Sequence, residues 1–573
     1  MSTADAEENF DEYDEIHSRR SEITDLDRVI EAAINRRGFL GAMTFGLGSF
    51  VIGTSSLTRL AKAGEDRFNF SRTPSGTADT VTLPEGFDWK TLVNRGEPLW
   101  SDAPEFDHST RGSAAIQARA FGDNNDGMAV FQSGDRTVMA VNNEYTNRSI
   151  IWGNRADGKA ANDDDIRKGL MARGVSVFEI ARIGDAWTVV KESPFNRRIT
   201  ADSEMEITGP AAGSELLKSA ADPTGTLSRG TWNNCGNRVT PWGTCLACEE
   251  NFNGYYYSSD SGYERTPSMK RYGINVEDRD YGWAEVDERF DISKNPNESN
   301  RAGFVIEIDT LDPSSTPTKR TALGRFKREN ADVVLAADGR VEVYMGDDER
   351  GEFLYKFISR SRFSEGGNSS ALLDAGTLYV AKFSDDQTGK WLPLTPESTG
   401  MSADDIAVNT RMAGSLVGAT PMDRPERVAS NPNAVESYVA LTNNKNRGLK
   451  PNAGGDPTPV GGPNSREANV YGQILRWLPN GEDHAADTFT WDLYALAGNP
   501  AIHSDANAGS ENINAGNMFN SPDGMMFDKH GLLWIQTDRN YSNEGEFQAR
   551  DRCRSIQEEF LEWHRNRELL RDG

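Results

Sequence analysis

The sequence has few of the residues that define several common protein classes. Only 4 cysteines and 6 histidines occur in 573 residues, too few for a disulfide scaffold and without the spacing of a structural zinc site. No run of about 20 apolar residues is present, which excludes a membrane protein with several spans. Basic residues are outnumbered by acidic ones, 62 against 88, for a net charge of -26. A field of that sign repels a phosphate backbone, so nucleic-acid binding is disfavoured.

The residues that are abundant favour a large β protein. The chain contains 54 glycines and 24 prolines, together with 25 Phe, 15 Tyr and 12 Trp that can supply a core. Short apolar runs separated by Gly, Asn and Asp turns recur along it, whereas long amphipathic helices and βα alternation are scarce. This pattern predicts an all-β fold. The length suits a signal segment followed by one large β architecture.

The first 63 residues have the features of an export signal. Arg36 and Arg37 precede an apolar, glycine-rich run at 41–52, and a small-residue site closes the segment at 61–63. These features are typical of a twin-arginine signal. We therefore expect export by the twin-arginine translocation machinery, a periplasmic or extracellular location, and no stable membrane span after processing.

One pattern repeats at intervals of about 100 residues, longer than a simple propeller repeat and therefore requiring insertions. Each copy is a turn, an alternating strand and then carboxylates or amides. A β-propeller would bring equivalent strand ends to one rim, so these polar endings would converge on the central channel. The copies lie at residues 134–144, 243–251, 338–350, 436–444 and 530–538.

Three runs carry the residues of a metal and phosphate site. Cys235 lies among amides about fourteen residues before paired carboxylates, and residues 347–350 read Asp-Asp-Glu-Arg. Adjacent carboxylates repel one another unless cations share them. A proline-framed turn at 420–426 holds Arg424 and Glu426. Carboxylates that recruit hard cations and arginines that grip an oxyanion are what phosphoryl transfer needs.

These runs, together with residues 121–128, 141–146, 196–210 and 521–538, resemble the PhoX-type alkaline phosphatases. The resemblance covers about residue 35 to about residue 546. It implies a β-propeller of about six blades in the complete family fold, with long insertions, and a mixed iron–calcium cofactor (Fe³⁺ and Ca²⁺). It also implies hydrolysis of small phosphomonoesters with release of inorganic phosphate.

The resemblance assigns roles to four residues. Cys235 is expected to ligate iron, Glu349 and Glu426 to ligate the iron–calcium cluster, and Arg424 to hold the substrate phosphate. We take Arg424, Glu349 and Glu426 as the catalytic set. Position at strand ends adds further candidate metal ligands, namely Glu144, Glu249, Glu250, Asp348, Asp523 and Asp538.

The predicted phosphatase domain spans 64–547, and a densely charged segment, 548–573, follows it. Family members continue here with further β-strands, so we expect an incomplete last blade and a chain that is unstable and weakly active or inactive as given. Two alternatives remain open: a calcium-dependent propeller hydrolase of lactones or diesters, and an inactive truncated propeller. In each case we expect a monomer.

Overall fold

The computed structural model describes residues 73, 81–107, 110–147, 151–152, 159–367, 369, 371–514, 516–529 and 531–537. Of these, 73 and 81–89 belong to one compact unit and 90–537 to a second, larger unit, which contains all the elements below. The predicted export signal (1–63) and charged segment (548–573) lie outside the described residues, as does Asp538.

Strands form most of the regular structure, and the first sheet has five of them. Its order is β1-β2-β3-β4, with β5 pairing with β3, and all its pairs are antiparallel. Burial alternates along β1, as expected for a strand with one packed face. The strands are β1 (Asn125–Ser133), β2 (Arg136–Asn143), β3 (Gly174–Ile183), β4 (Ala186–Val189) and β5 (Arg197–Ile199).

The second sheet has six strands in the order β7-β6-β11-β10-β9-β8. The β6–β11 pair is parallel and the other pairs are antiparallel. Every residue of β9 and β10 is buried, which places these strands in the middle of the packed layer. The strands are β6 (Glu204–Thr208), β7 (Leu227–Arg229), β8 (Asn234–Val239), β9 (Cys245–Glu249), β10 (Val305–Ile308) and β11 (Thr318–Arg320).

The third sheet has nine strands, and a two-stranded sheet follows it. The third sheet consists of two antiparallel meanders joined where β16 pairs with β20. Its strands are β12 (Asp332–Leu335), β13 (Arg340–Gly346), β14 (Leu354–Arg362), β15 (Gly376–Phe383), β16 (Thr388–Leu394), β17 (Pro425–Ser430), β18 (Ser437–Leu441), β19 (Gln473–Pro479) and β20 (Thr488–Leu496). The pair β21 (Pro522–Phe527) and β22 (Leu533–Thr537) is antiparallel.

The helices are short and lie in the connections. The α-helices are α1 (Ala114–Gln117), α2 (Asp163–Met171), α3 (Pro267–Arg271), α4 (Trp283–Val286), α5 (Pro396–Thr399), α6 (Ala403–Val408) and α7 (Thr410–Leu416). Single 3₁₀ turns occur at Glu215–Leu217, Phe252–Tyr255, Glu288–Phe290, Glu298–Arg301, Thr321–Leu323, Asn480–Glu482 and Ala506–Ala508. None of the helices in the described part of the chain is long and apolar enough to cross a membrane.

Five strands at the edges of the sheets pack against one another, in the order in which they occur along the chain. β1 contacts β8, β8 contacts β12, β12 contacts β17, and β17 contacts β21. Apolar side chains fill the space between neighbouring sheets. For example, Val138 and Val175 of the first sheet belong to one core with Ala247 and Ile306 of the second. This packing brings the starts of distant strands together, and the candidate site lies there.

Candidate metal centre

Four of the packed strands begin with the same local structure. A non-glycine residue with a positive φ angle precedes the strand, and the strand's second residue is an acid or a thiol. The positive-φ residues are Asn124 (φ 40°), Asn233 (φ 50°), Arg424 (φ 52°) and Ser521 (φ 47°). The residues two positions later are Asp126, Cys235, Glu426 and Asp523. Backbone in this region is costly for side chains larger than glycine, and its recurrence at four places marks a functional site.

A register irregularity follows each of these turns. Pairing is interrupted in β1, β8, β17 and β21 directly after the first strand residue. Irregularities of this kind re-aim a side chain away from the ordinary alternation of a strand. The turn and the irregularity together direct one acid or thiol from each strand towards a shared centre.

Two glycines allow the strands to approach closely enough for these side chains to meet. A Cβ atom on Gly127 would lie 2.3 Å from the backbone N of Asn237 in β8. One on Gly236 would lie 2.3 Å from the backbone O of Glu329. Since real Cβ contacts are never this short, only glycine permits this backbone spacing at the two positions.

The side chains converge in a buried acidic cluster, by which we mean Asp126, Cys235, Glu250, Glu329, Asp348, Glu426 and Asp523. Three sets of these residues each bring three ligand atoms within 4.8 Å of one another. The sets are Asp126, Cys235 and Glu329; Glu250, Glu329 and Asp348; and Glu329, Glu426 and Asp523. Glu329 belongs to all three and is therefore the centre of the cluster. The Cys235 Sγ atom lies 2.6 Å from Oδ2 of Asp126 and 2.8 Å from Oε2 of Glu329.

Burial and mutual repulsion disfavour the charged forms of three of these residues, Glu329, Glu426 and Cys235. Burial raises the pKa of Glu329 to about 7, with Asp348 and Asp126 adding to the rise. Burial also raises the pKa of Glu426 well above its usual value, with help from Asp348 and Glu329. Burial, together with Asp126 and Glu329, also raises the pKa of the Cys235 thiol. Negative groups held together at such a cost fit a site completed by cations, and one thiol with six carboxylates is a metal-ligand set.

Two arginines lie against the cluster. Arg424 donates from Nε and Nη2 to the two carboxylate oxygens of Asp348, at 2.8 and 2.7 Å, and its Nη2 is 3.1 Å from Oε1 of Glu426. Arg427 donates to Asp126, and its Nε lies 3.5 Å from Oε2 of Glu329. A fork of guanidinium N–H groups at a cation-binding cluster is suited to an oxyanion such as phosphate.

The structure brings together six residues that the sequence had singled out: Cys235, Glu250, Asp348, Arg424, Glu426 and Asp523. Glu349 has a different partner, because its Oε2 accepts a hydrogen bond from Lys327 Nζ at 2.7 Å. Burial alone would raise the pKa of Glu349, but Lys327 and Arg411 hold it below its usual value. Glu144 is outside the three sets, although its charge contributes to the raised pKa of Cys235.

Glu249 is the predicted ligand whose surroundings are most unlike a metal site. Its Oε1 accepts from Lys319 Nζ at 2.8 Å, and its Oε2 accepts from the backbone N–H groups of Gly303 and Phe304. The ion pair is buried on both sides. The Glu249 carboxylate therefore neutralises Lys319 in the interior of the second sheet.

Sequence reasoning missed Asp126, Glu329 and Arg427. Asp126 could have been found by aligning Asn-Asn-Asp-Gly at 124–127 with Asn-Asn-Cys-Gly at 233–236, since both place the ligand before a glycine. Glu329 lies in a basic run, Lys-Arg-Glu-Asn at 327–330, and nothing local distinguishes it. Its role follows only from the packing of β8 and the segment before β12.

Fold and site together define a mostly β protein with a buried metal-binding cluster flanked by arginines. The family model described as alkaline phosphatase PhoX matches residues 68–559. The chain belongs to this family and is a phosphomonoester-hydrolysing alkaline phosphatase, so the predicted family and reaction are confirmed.

One solved structure supports this assignment. PhoX of Pseudomonas fluorescens, in complex with the transition-state analogue vanadate, is 46% identical. That match covers 86% of this chain and 87% of the other, with a TM-score of 0.81. A gluconolactonase from Xanthomonas campestris is 13% identical over 62% of this chain and 75% of its own, with a TM-score of only 0.19. A comparison with curated proteins finds no match.

Proposed function

We propose that phosphomonoester hydrolysis takes place at the acidic cluster, with Fe³⁺ and Ca²⁺ as its cations and Arg424 as the group that holds the phosphate. The observation that supports this most strongly is the convergence of one thiol and six carboxylates beside the Arg424–Asp348 pair. Four of its seven residues come from separate strands that share one local structure, which a chance grouping of acids would not show.

The donor types divide the cluster between the two metals. A thiolate with carboxylates suits ferric iron, so Cys235, Asp126 and Glu329 would hold iron. Calcium takes oxygen ligands only, and the two remaining sets, which contain Glu250 with Asp348 and Glu426 with Asp523, offer nothing else. When bound, the cations would supply Lewis acidity and charge neutralisation at the reacting phosphate.

Arg424 and its neighbours are the protein groups that would bind and orient the phosphate. Arg424 is only 7% exposed, so it would meet a phosphate oxygen in a poorly hydrated setting, where a charge-assisted hydrogen bond is strong. Asp348 and Glu426 hold it in place from two directions. Glu349 directly follows Asp348 in the same loop and forms an ion pair with Lys327. It stays in the proposed catalytic set as an acid beside the cluster.

The proposed architecture is a β-propeller of about six blades in the complete family fold. It is supported by the chain-order packing of β1, β8, β12, β17 and β21, and by the shared turn that begins four of these strands. Radial repetition of blades is the arrangement that brings equivalent strand starts to one central channel.

The proposed location remains periplasmic or extracellular, reached through the twin-arginine machinery. The support is the sequence around Arg36 and Arg37. That machinery carries folded cargo, which suits an enzyme whose metals are bound before export. Small phosphomonoesters are the proposed substrates.

Elemental analysis and p-nitrophenyl phosphate turnover on the same preparation would test the proposal. We expect iron and calcium to co-purify with the protein, and a calcium chelator to abolish turnover until calcium is returned. Unchanged turnover after exhaustive chelation would remove calcium from the proposal. A metal-replete protein that cleaves lactones or phosphodiesters but not the monoester would contradict the proposed substrate class.

A further inference from the structure

Two loops beside the cluster share a feature that the proposed chemistry does not use. In each, a fully buried aspartate directly precedes a residue of the site: Asp347 precedes Asp348 of the cluster, and Asp423 precedes Arg424 beside it. Asp348 and Arg424 face each other and form the bidentate pair at the centre of the site. The two buried aspartates therefore hold corresponding positions in the sequence, each directly before one member of this pair.

Arg411, in helix α7, holds the first aspartate. Its Nε donates to Oδ2 of Asp347 at 2.8 Å and its Nη2 donates to Oδ1 at 2.5 Å. Both side chains are buried, and Oε2 of Glu352 lies 3.9 Å from Arg411 Nε. A two-point contact of this kind fixes direction as well as distance.

Arg447 holds the second aspartate. Its Nε donates to Oδ1 of Asp423 at 2.6 Å, and its Nη2 donates to the backbone O of Pro421 at 3.1 Å. Asn469 Nδ2 donates to the other carboxylate oxygen at 3.1 Å. Arg447 thus contacts the turn that carries Arg424 at two points, the Asp423 carboxylate and the Pro421 carbonyl.

The two anchored loops are also joined to each other. Arg350 and Asp423 form an antiparallel bridge, and the N–H of Gly351 donates to the O of Met422 at 2.9 Å. A shift of either anchor would therefore move one member of the Asp348–Arg424 pair relative to the other.

We propose that Arg411 and Arg447 are positioning residues for the phosphatase reaction, Arg411 acting on the metal side through Asp348 and Arg447 on the phosphate side through Arg424. The proposal rests on the proposed function of the cluster. It separates the two arginines by what each controls: loss of the Arg411 contact lowers metal retention, and loss of the Arg447 contact lowers affinity for the oxyanion.

A purely structural role is the competing explanation, because breaking any buried ion pair destabilises a protein. Arg476 supplies the matched control. It is a buried arginine on β19 with a two-point contact to Asp492, at 3.2 and 2.7 Å, and a further contact to Glu436 at 3.4 Å; neither acid belongs to the cluster. Arginine-to-lysine changes keep the charge at all three positions but cannot reproduce the fork.

The test compares R411K, R447K and R476K in the full chain for melting temperature, iron and calcium content, kcat, KM and inhibition by inorganic phosphate. For R447K we expect the phosphate inhibition constant to rise about tenfold to a hundredfold, as misplacement of a positioned group commonly costs, with metal content retained. For R411K we expect reduced metal content at metal concentrations that saturate the wild type. R476K should lose stability alone.

If R447K does not fold, Asp423→Asn tests the same effect on phosphate affinity. Asparagine keeps the shape of the aspartate and one hydrogen bond with Arg447. Phosphate inhibition and metal content that match those of R476K, in variants of equal melting temperature, would overturn the positioning proposal. Absence of metal from the wild-type protein would instead overturn the proposed function, so the two failures are distinguishable.

Discussion

At the scale of single residues, the site is decided by which buried charges have a partner. Glu249 and Glu250 are adjacent, yet the first pairs with Lys319 and the second lies in the acidic cluster. Burial makes each choice expensive to reverse, because a buried charge without a partner is strongly destabilising. Substitutions at the two kinds of position should therefore have different consequences.

Cys235→Ser should remove iron and most of the activity while the fold persists. A serine hydroxyl stays protonated where a thiolate would bind a ferric ion, so the change removes a ligand without altering packing volume much. Iron content and p-nitrophenyl phosphate turnover, measured beside a melting curve, would check this. Cys245→Ala is the control, since Cys245 is a buried thiol of β9 outside the cluster. A Cys235→Ser protein with full iron and full rate would contradict the ligand assignment.

Glu249→Gln should destabilise the protein and leave its metal content unchanged. The glutamine cannot neutralise Lys319, which is buried, and breaking such a pair from one side costs roughly 3–5 kcal/mol. Urea unfolding would measure the loss. Metal analysis of the folded fraction would decide the role of Glu249, since a loss of metal at unchanged stability would make it a ligand.

At the scale of elements, the turn before β1, β8, β17 and β21 is the unit that builds the site. Each copy contains one strained residue with a positive φ angle and directs one acid or thiol towards the cluster. The strands can meet only because glycines leave room between them, as at Gly127. Element packing and ligand geometry are therefore one property of this fold.

Gly127→Ala should damage the metal site through the contact of β1 with β8. The new methyl group would overlap the backbone of Asn237, and overpacking of this kind costs roughly 1–3 kcal/mol. We expect lower metal content because Asp126 and Cys235 would be pushed apart. Gly134→Ala is matched in size: its φ of +64° makes alanine cost roughly 1–2 kcal/mol, but no atom lies within 4 Å of the new group. Equal metal content in the two variants would show that the glycine spacing does not matter to the site.

At the scale of the whole molecule, acid should weaken the fold through a buried histidine that is not part of the cluster. Burial and, to a smaller extent, the nearby Lys356 lower the pKa of His484 to about 4. The Tyr344 hydroxyl lies 3.2 Å from its Nδ1 atom, inside the core of the nine-stranded sheet. Charging this ring in place is therefore costly.

The unfolded chain binds the proton first, with a histidine pKa near 6.5. The stability due to neutral His484 is therefore complete above about pH 6.5 and is lost as the pH falls towards 4, with a total of about 3 kcal/mol at about 1.4 kcal/mol per pKa unit. Urea unfolding between pH 7 and 4 would measure the slope. His484→Gln should flatten it over this range, and an identical slope in the variant would assign the acid sensitivity to other groups.

The sequence by itself determined the family, the reaction and the mostly β class, because these depend on local runs of residues and on their order along the chain. It also identified Cys235, Arg424 and Glu426, which stand out through rigid turns and unusual neighbours. Local patterns could not show which strand starts would meet, since the cluster joins segments from residue 126 to residue 523.

Only the tertiary structure placed Glu329 at the centre of the cluster and Glu249 on Lys319. Glu249 is the last residue of β9, and consecutive side chains in extended backbone point in opposite directions, so Glu250 faces away from its neighbour. Whether a side chain here faces the metal site or the core depends on the sheets packed on either side of the strand. That information lies in contacts between residues far apart in the chain, and no single run of the sequence contains it.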